Sequence, residues 1–144
     1  MLVHEAPFVR SQFDASVPCV LQVWSGYARS EEFRAATLRV LSFVQACQRE
    51  YPHIEFLVDA RKLGPLLRED MEWAAREADP KLYAAGMRRI AFVVPESAIG
   101  RTSLKTYEKA AEATYASPLV ARQFASLEEA DTWLRQPLQG VSQT

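Results

Sequence analysis

The sequence is poor in the residues from which common catalytic and cofactor sites are built. It contains two histidines, two cysteines and five glycines among its 144 residues. His4 and His53 lie far apart, and no cluster of histidine, cysteine and carboxylate has the spacing of a zinc site. No Walker A loop, G-x-G-x-x-G sequence or G-x-S-x-G sequence is present. We therefore predict no bound metal and no cofactor, and we expect neither a nucleotide-binding loop nor a serine-hydrolase site.

An excess of one charge and a long hydrophobic run are also absent. The 17 basic and 18 acidic residues are spread along the chain, which leaves no basic surface for nucleic acid. No apolar run approaches the roughly 18 residues of a membrane span, and the first residues lack the regions of a signal peptide. Cys19 and Cys47 lie far apart without C-x-x-C spacing, so both are predicted to be buried free thiols. A cytoplasmic protein without an integral membrane segment is expected.

The first part of the chain predicts a β-hairpin. The runs "APFVRSQF" and "VPCVLQVWSG" have the composition of strands and are joined by the turn-forming residues "DAS". Alternation places Cys19, Leu21 and Val23 on one face of the second strand. Val20, Gln22 and Trp24 then share the opposite face.

The rest of the chain alternates between helical and strand patterns. Apolar residues at three- and four-residue spacing predict a helix that begins near Ser30, which we expect to be its N-cap. The runs "HIEFLVDA", "RRIAFVVP" and "LVARQF" are predicted strands, separated by the predicted helices "REDMEWAAREADP" and "RTSLKTYEKAAEATYA". The pair Asp79–Pro80 is expected to break the first of these helices and to start a short new one. A last helix, "SLEEADTWL", opens with a capping box of Ser126 and Glu129.

The predicted order is therefore ββαβαβαβα in one α/β domain over residues 1–137, with a frayed tail at 138–144. Such an order predicts a single-layer, mixed and mostly parallel sheet with one antiparallel edge strand, covered by helices.

This order resembles the STAS/SpoIIAA-like fold, which small lipid-binding relatives of the Sec14 type share. Small bacterial proteins of this family carry motifs similar to five segments of the sequence. These are "VLQVWSG", "FLVDAR", "EDMEWAAREADP", "GMRRIAFVV" and "FASLEEADTWL", which together extend the similarity over roughly residues 8–135. The resemblance implies the fold and a tendency to bind protein partners or lipophilic molecules.

One part of the family pattern is missing. Anti-sigma antagonists of this fold carry a phosphorylatable serine at the start of the helix that follows the central strand. The matching stretch, "DARKLGPLLRED", contains no serine or threonine. The resemblance therefore does not extend to a serine phospho-switch.

Two polar groups are candidate sites. Asp59 and Arg61 follow a predicted parallel strand, at the end of the sheet where open α/β folds bind ligands. Asp59 is either a general base or, as we favour, a strand-end acid bonded to loop amides or to Arg61. A second candidate is an anion site at Arg101, Thr102 and Ser103, because helix N-terminal amides bind anions. An ordinary helix cap is the favoured interpretation there.

The loop after Asp59 is unusually apolar and requires a partner. Its side chains pack against the core of the domain, against a protein partner or a second copy of the chain, or around a lipophilic ligand. The candidate binding residues are Leu63, Leu66, Leu67, Met71 and Trp73. We expect a non-enzymatic binding or regulatory module that acts through protein–protein contacts, with a homodimer as the leading arrangement. The alternatives are a small carrier or sensor that holds a lipid or other lipophilic ligand under residues 62–73 and, as the least favoured, an enzyme that uses Asp59 and Arg61.

Overall fold

The structure, a computed structural model, describes residues 1–94, 102, 105 and 119–138. Its six strands form one sheet and are β1 (Leu2–Ala6), β2 (Val9–Asp14), β3 (Cys19–Trp24), β4 (Glu55–Asp59), β5 (Arg89–Val93) and β6 (Val120–Phe124). Its helices are α1 (Ser30–Cys47), α2 (Arg68–Trp73), α3 (Asp79–Ala84) and α4 (Leu127–Leu134), and a π-helical turn (Ala74–Ala78) joins α2 to α3.

The strands lie in the sheet in the order of the chain, from β1 to β6. Strands β1, β2 and β3 pair antiparallel, whereas β3, β4, β5 and β6 pair parallel. The α/β class and the mixed sheet of the prediction are thus present. The predicted hairpin is part of a three-stranded antiparallel meander, because β1 adds an edge strand that the sequence pattern did not predict. None of the five residues of β1 is fully buried, so the strand lacks the apolar alternation by which strands are predicted.

The two faces of the sheet are covered by different helices. Helix α1 and the segment from α2 to α3 pack on one face, where they form the larger core with side chains such as Val20, Phe56 and Ile90. Helix α4 packs on the other face with Leu57 and Ala91. Every residue of β4 and β5 is buried, as expected for central parallel strands covered on both faces.

The predicted short helix at Asp79–Pro80 is present as α3, with Pro80 in its first turn, but the predicted break before it is absent. The backbone remains helical through both residues, and Asp79 has helical dihedral angles instead of those of an N-cap. The π-helical turn just before Pro80 changes the hydrogen-bond spacing, so the missing N–H of proline falls between two helical segments. The continuous segment places Met71 and Ala74 on the face that packs against the core.

The end of α3 is fixed against the start of β4. Gly86 has φ of 106°, which only glycine adopts readily, and a Cβ atom there would lie 1.8 Å from the carbonyl oxygen of Pro52. His53 Nδ1 is 2.9 Å from the carbonyl oxygen of Gly86 and donates a hydrogen bond to it in the Nδ1-protonated tautomer. This close contact sets the entry of β4 into the centre of the sheet.

Two predicted features lie wholly or partly outside the described residues. Of the predicted helix "RTSLKTYEKAAEATYA", the structure describes Thr102 and Lys105, both in helical backbone and both exposed. Of the predicted tail it describes Leu138 alone. Within the described part of the chain, no helix is long and apolar enough to cross a membrane, and no group of three or more potential ligands is placed to hold a metal ion.

Candidate functional site

The apolar loop after β4 is held against the neighbouring connection of the sheet. The backbone N–H of Gly64 donates to the carbonyl oxygen of Gly26 at 3.1 Å, and a Cβ atom on Gly64 would lie 3.3 Å from Cα of Tyr27. At the start of the loop, the N–H of Ala60 donates to the carbonyl oxygen of Val93 at 3.2 Å. These contacts place residues 60–67 over the carboxyl ends of β3 and β4.

The five candidate side chains of this loop and of α2 have different environments. Leu63 and Met71 are buried in the larger core, at 4% and 3% exposure. Leu66 and Trp73 are partly buried and pack against that core. Leu67 is 50% exposed and points away from the core. Most of the loop therefore packs on the domain itself, and Leu67 alone of the five remains on the surface.

Beneath the loop lies a cavity of about 50 Å³. It lies between the sheet face of β3, β4 and β5 and the helices α1, α2 and α3. Three of the candidate residues, Leu63, Leu66 and Met71, form part of its wall. The other lining residues are Gln22, Trp24, Phe33, Thr37, Phe56, Val58, Ala74, Asp79, Leu82, Ile90 and Phe92.

Aromatic rings form one wall of the cavity and continue beyond it. The rings of Trp24 and Phe33 stack at 6.2 Å between centroids, and Phe33 meets Trp73 edge to face at 6.3 Å. The guanidinium of Arg34 lies 4.9 Å from the centroid of the Trp73 ring on the outer side. Ring pairs of this kind add stability beyond the apolar area that they bury, so these contacts stabilise this wall of the cavity.

The cavity is mainly apolar but has three polar side chains in its wall. Gln22, Thr37 and Asp79 are all buried, at 3%, 8% and 2% exposure. The hydroxyl of Thr37 donates to the carbonyl oxygen of Phe33 at 3.0 Å, within α1. A mainly apolar pocket with a few placed polar groups is the usual form of a small-molecule site in proteins.

A polar cluster joins α1 to α2 beside the loop. Oδ1 of Asp70 accepts hydrogen bonds from the hydroxyl of Ser30 at 2.7 Å and from Nε of Arg34 at 2.9 Å. The prediction that Ser30 is the N-cap of α1 is therefore wrong, because Ser30 is the first residue of the helix. The N-cap is Arg29, whose side chain makes no capping hydrogen bond. Asp70 is 1% exposed, so this cluster fixes α2 against α1 from inside the protein. Removing one member of such a buried, charge-assisted cluster leaves the others without partners.

Asp59 and Arg61 form an ion pair with each other. Arg61 donates to Oδ1 of Asp59 from Nε at 2.9 Å and from its backbone N–H at 3.2 Å, and to Oδ2 from Nη2 at 2.8 Å. The hydrogen bond from the Arg61 side chain is the main cause that lowers the pKa of Asp59. A carboxylate with a lowered pKa is a weak general base near neutral pH. Asp59 lies at the strand end, but it is not part of the cavity wall.

Of the proposed anion site, the structure describes Thr102 alone, which is exposed; Arg101 and Ser103 lie outside the described residues. The two cysteines are free thiols; Cys19 is buried as predicted, whereas Cys47 is only partly buried. Burial raises the pKa of Cys19 to about 12, so this thiol stays protonated and unreactive near neutral pH.

A buried ion pair lies at the opposite end of the sheet. Nε of Arg89 donates to Oε2 of Glu55 at 2.6 Å, and both side chains are 3% exposed. Arg89 also donates to the carbonyl oxygens of Trp133, Leu134 and Gln136, at 3.0, 2.9 and 2.8 Å. The carbonyl groups at the end of α4 thus surround the guanidinium, which is a favourable place for a cation.

The polar side chains of the cavity were not predicted from the sequence. Gln22 had a recognisable signal, because it is a lone polar residue between Val20 and Trp24 on one face of the predicted strand. Thr37 and Asp79 had weaker signals, since threonine is common in helices and Asp79 precedes a proline. Their approach to one cavity depends on how α1 and α3 pack on the sheet.

Comparison with known proteins gives no further guide to this site. No protein-family model, no curated protein and no solved structure matches the chain.

Proposed function

We propose that this protein is a non-enzymatic binding module that holds a small, mainly apolar molecule in the cavity under residues 60–67. The observation that carries the proposal is the cavity itself, with an aromatic wall on one side and Leu66 and Met71 on the other. The STAS/SpoIIAA-like resemblance is part of the proposal, and the order of the strands and helices supports it.

The volume of the cavity limits the size of the ligand. A cavity needs about 10–15 Å³ to hold one water, so about 50 Å³ holds a few water-sized groups. Pockets for drug-sized ligands occupy about 300–1,000 Å³. A whole lipid chain therefore requires the wall to move, whereas a small molecule, or one end of a larger one, requires little movement.

The wall of the cavity favours binding over catalysis. Among the described residues that line it, Asp79 is the one titratable side chain. Asp59 and Arg61 are bonded to each other outside the cavity, which argues against an enzyme that uses these two residues.

The proposal is tested by narrowing the cavity. Ala74→Val adds two methyl groups to the wall, and Ala35→Val makes the same change at an exposed position in the middle of α1. Small neutral alcohols, ketones and hydrocarbons are titrated into the wild type and both variants, and binding is followed by NMR and by thermal unfolding. Ligand at a hundredfold excess over Kd raises the free energy of unfolding by about 2.7 kcal/mol.

We expect the wild type and Ala35→Val to bind the same compounds, and Ala74→Val to bind them at least about tenfold more weakly, which corresponds to about 1.4 kcal/mol. The proposal would be contradicted if Ala74→Val bound the compounds as tightly as the wild type does. It would also be contradicted if the wild type bound none of them saturably. The methyl resonances of the leucines in the wall show whether bound compounds occupy the cavity.

Contact with a protein partner is the second candidate function, and a separate observation favours it. Phe8, Tyr27 and Leu67 are 43%, 53% and 50% exposed. They lie on three neighbouring loops, because a Cβ atom on Gly26 would lie 2.9 Å from the Phe8 ring and Gly64 contacts Tyr27. Exposed apolar side chains that lie together are typical of interaction surfaces.

A homodimer through this surface should dissociate in sedimentation experiments when Tyr27 and Leu67 are both replaced by serine. An unchanged dimer would exclude this surface as the dimer interface.

A further inference from the structure

Gln22 is a buried polar side chain in the apolar wall of the cavity. It lies in β3, between two neighbouring strands of the sheet, and is 3% exposed. Its carboxamide is held on two sides. Nε1 of Trp24 donates to Oε1 at 2.9 Å, and Nε2 donates to the hydroxyl of Ser11 at 3.1 Å, so the orientation of the amide is fixed.

The hydrogen bonds of Gln22 leave one donor unused. A carboxamide nitrogen carries two hydrogens, and Ser11 takes one of them. The other has no acceptor among the described residues, although the side chain lines the cavity. A buried N–H without an acceptor is unfavourable, so the position is suited to an acceptor that enters from the cavity.

The remaining polar groups of the wall indicate the charge of the ligand. The described lining residues include the carboxyl group of Asp79 but no lysine, arginine or histidine. Among the described lining residues an anionic ligand would therefore meet a carboxyl group and no positive partner, which is costly in a poorly solvated site. A neutral ligand avoids this cost.

We propose that Gln22 donates a hydrogen bond to the ligand, so that the cavity selects a small neutral molecule with a carbonyl or hydroxyl oxygen on a hydrocarbon body. This inference rests on the proposed function and adds to it the chemical class of the ligand. Gln22 is the residue that determines specificity, and the apolar wall contributes affinity for the hydrocarbon part.

The test uses a ketone and a hydrocarbon of the same shape. Butanone has a carbonyl oxygen where 2-methyl-1-butene has a CH₂ group, so the two differ in one hydrogen-bond acceptor. Both are titrated by NMR into the full-length wild type, Gln22→Met and Gln12→Met. Gln22→Met removes the donor and keeps a side chain of similar length, whereas Gln12→Met makes the same change at an exposed position of β2 outside the cavity wall.

We expect Gln22→Met to bind butanone about tenfold more weakly than the wild type, as loss of one hydrogen bond implies, with little change for the hydrocarbon. Gln12→Met should keep the affinity for butanone. In the wild type, the side-chain amide protons of Gln22 should shift with butanone and not with the hydrocarbon, a readout that does not need the variant to fold. If the hydrocarbon binds but these protons respond equally to both compounds, Gln22 does not select the ligand and the proposed function still stands. If neither compound binds, the inference about Gln22 fails, and the proposed function fails with it only if none of the other alcohols, ketones and hydrocarbons binds.

Discussion

The buried pair of Glu55 and Arg89 predicts an unusual dependence of stability on pH. Burial raises the pKa of Glu55 from 4.5 to about 7, and the hydrogen bond from Arg89 opposes part of that shift. The guanidinium does not depend on Glu55 for its stabilisation, because three carbonyl oxygens at the end of α4 also accept hydrogen bonds from it. Neutralising Glu55 is therefore tolerated in the folded protein.

The direction in which stability changes with pH follows from proton binding by Glu55. Between about pH 4.5 and pH 7, the folded state holds the Glu55 proton more tightly than the unfolded state does. The contribution of this group to stability is therefore greatest in acid and is lost as the pH rises through about 7. A difference of 2.5 pKa units, at about 1.36 kcal/mol per unit, gives a total of about 3 kcal/mol.

The substitution Glu55→Gln should remove this contribution. Urea unfolding at several values between about pH 5 and pH 8 measures the free energy of unfolding of the wild type and the variant. We expect the difference between them to change by about 2–3 kcal/mol over this range, with the variant losing less stability as the pH rises. Glu5→Gln, the same change at a side chain that is 56% exposed, should leave the pH profile unchanged.

The alternative is a fully ionised pair. In that case Glu55→Gln would destabilise the protein by about 3–5 kcal/mol near neutral pH, because a buried charge would lose its partner. The argument would be refuted if the variant were less stable than the wild type by that same amount at every value between about pH 5 and pH 8, so that both free energies of unfolding changed equally with pH.

Two further predictions concern single residues. Gly86→Ala should destabilise the protein by about 3 kcal/mol or more in urea unfolding, because of the positive φ and the 1.8 Å approach to Pro52; a loss below about 1 kcal/mol would contradict the described turn. Asp59→Asn should reduce the free energy of unfolding near neutral pH by about 1 kcal/mol, since Arg61 is 44% exposed and water can replace the ion pair. Because the pKa of Asp59 is lowered, that difference should disappear as the pH falls through this pKa. Binding of butanone by Asp59→Asn should be unchanged. If binding were lost while the melting curve stayed the same, Asp59 would be a functional residue.

The parts of the fold that the sequence predicted are those set by local patterns. The apolar runs of β4 and β5 predicted strands, and apolar residues at three- and four-residue spacing predicted α1. The structure buries every residue of both strands, and it buries Phe33, Val40 and Val44 of α1. The N-cap predicted at Ser126 is also present, since its hydroxyl accepts from the N–H of Glu129 at 3.2 Å. The Glu129 carboxylate, however, accepts from the N–H of Ala125 at 3.4 Å, so the capping box is only half formed. Each of these features depends on residues close together in the chain.

The parts that were missed depend on contacts between distant segments. Strand β1 lies at the edge of the sheet with partly polar side chains, so its pairing with β2 left no clear pattern. The helical path through Asp79–Pro80 depends on a π-helical turn, which local preferences do not predict. The cavity is the space left where side chains of three strands and three helices do not fill the core. Such a space depends on packing of the whole domain.

The most direct test of the account is to identify what the cavity holds when the protein is purified from cells. The wild type, Ala74→Val and Ala35→Val are purified in parallel, denatured, and the small molecules that they release are compared by mass spectrometry. The account predicts at least one neutral, oxygen-containing compound that the wild type and Ala35→Val release and that Ala74→Val does not. Release of the same compounds in the same amounts by all three proteins would contradict it.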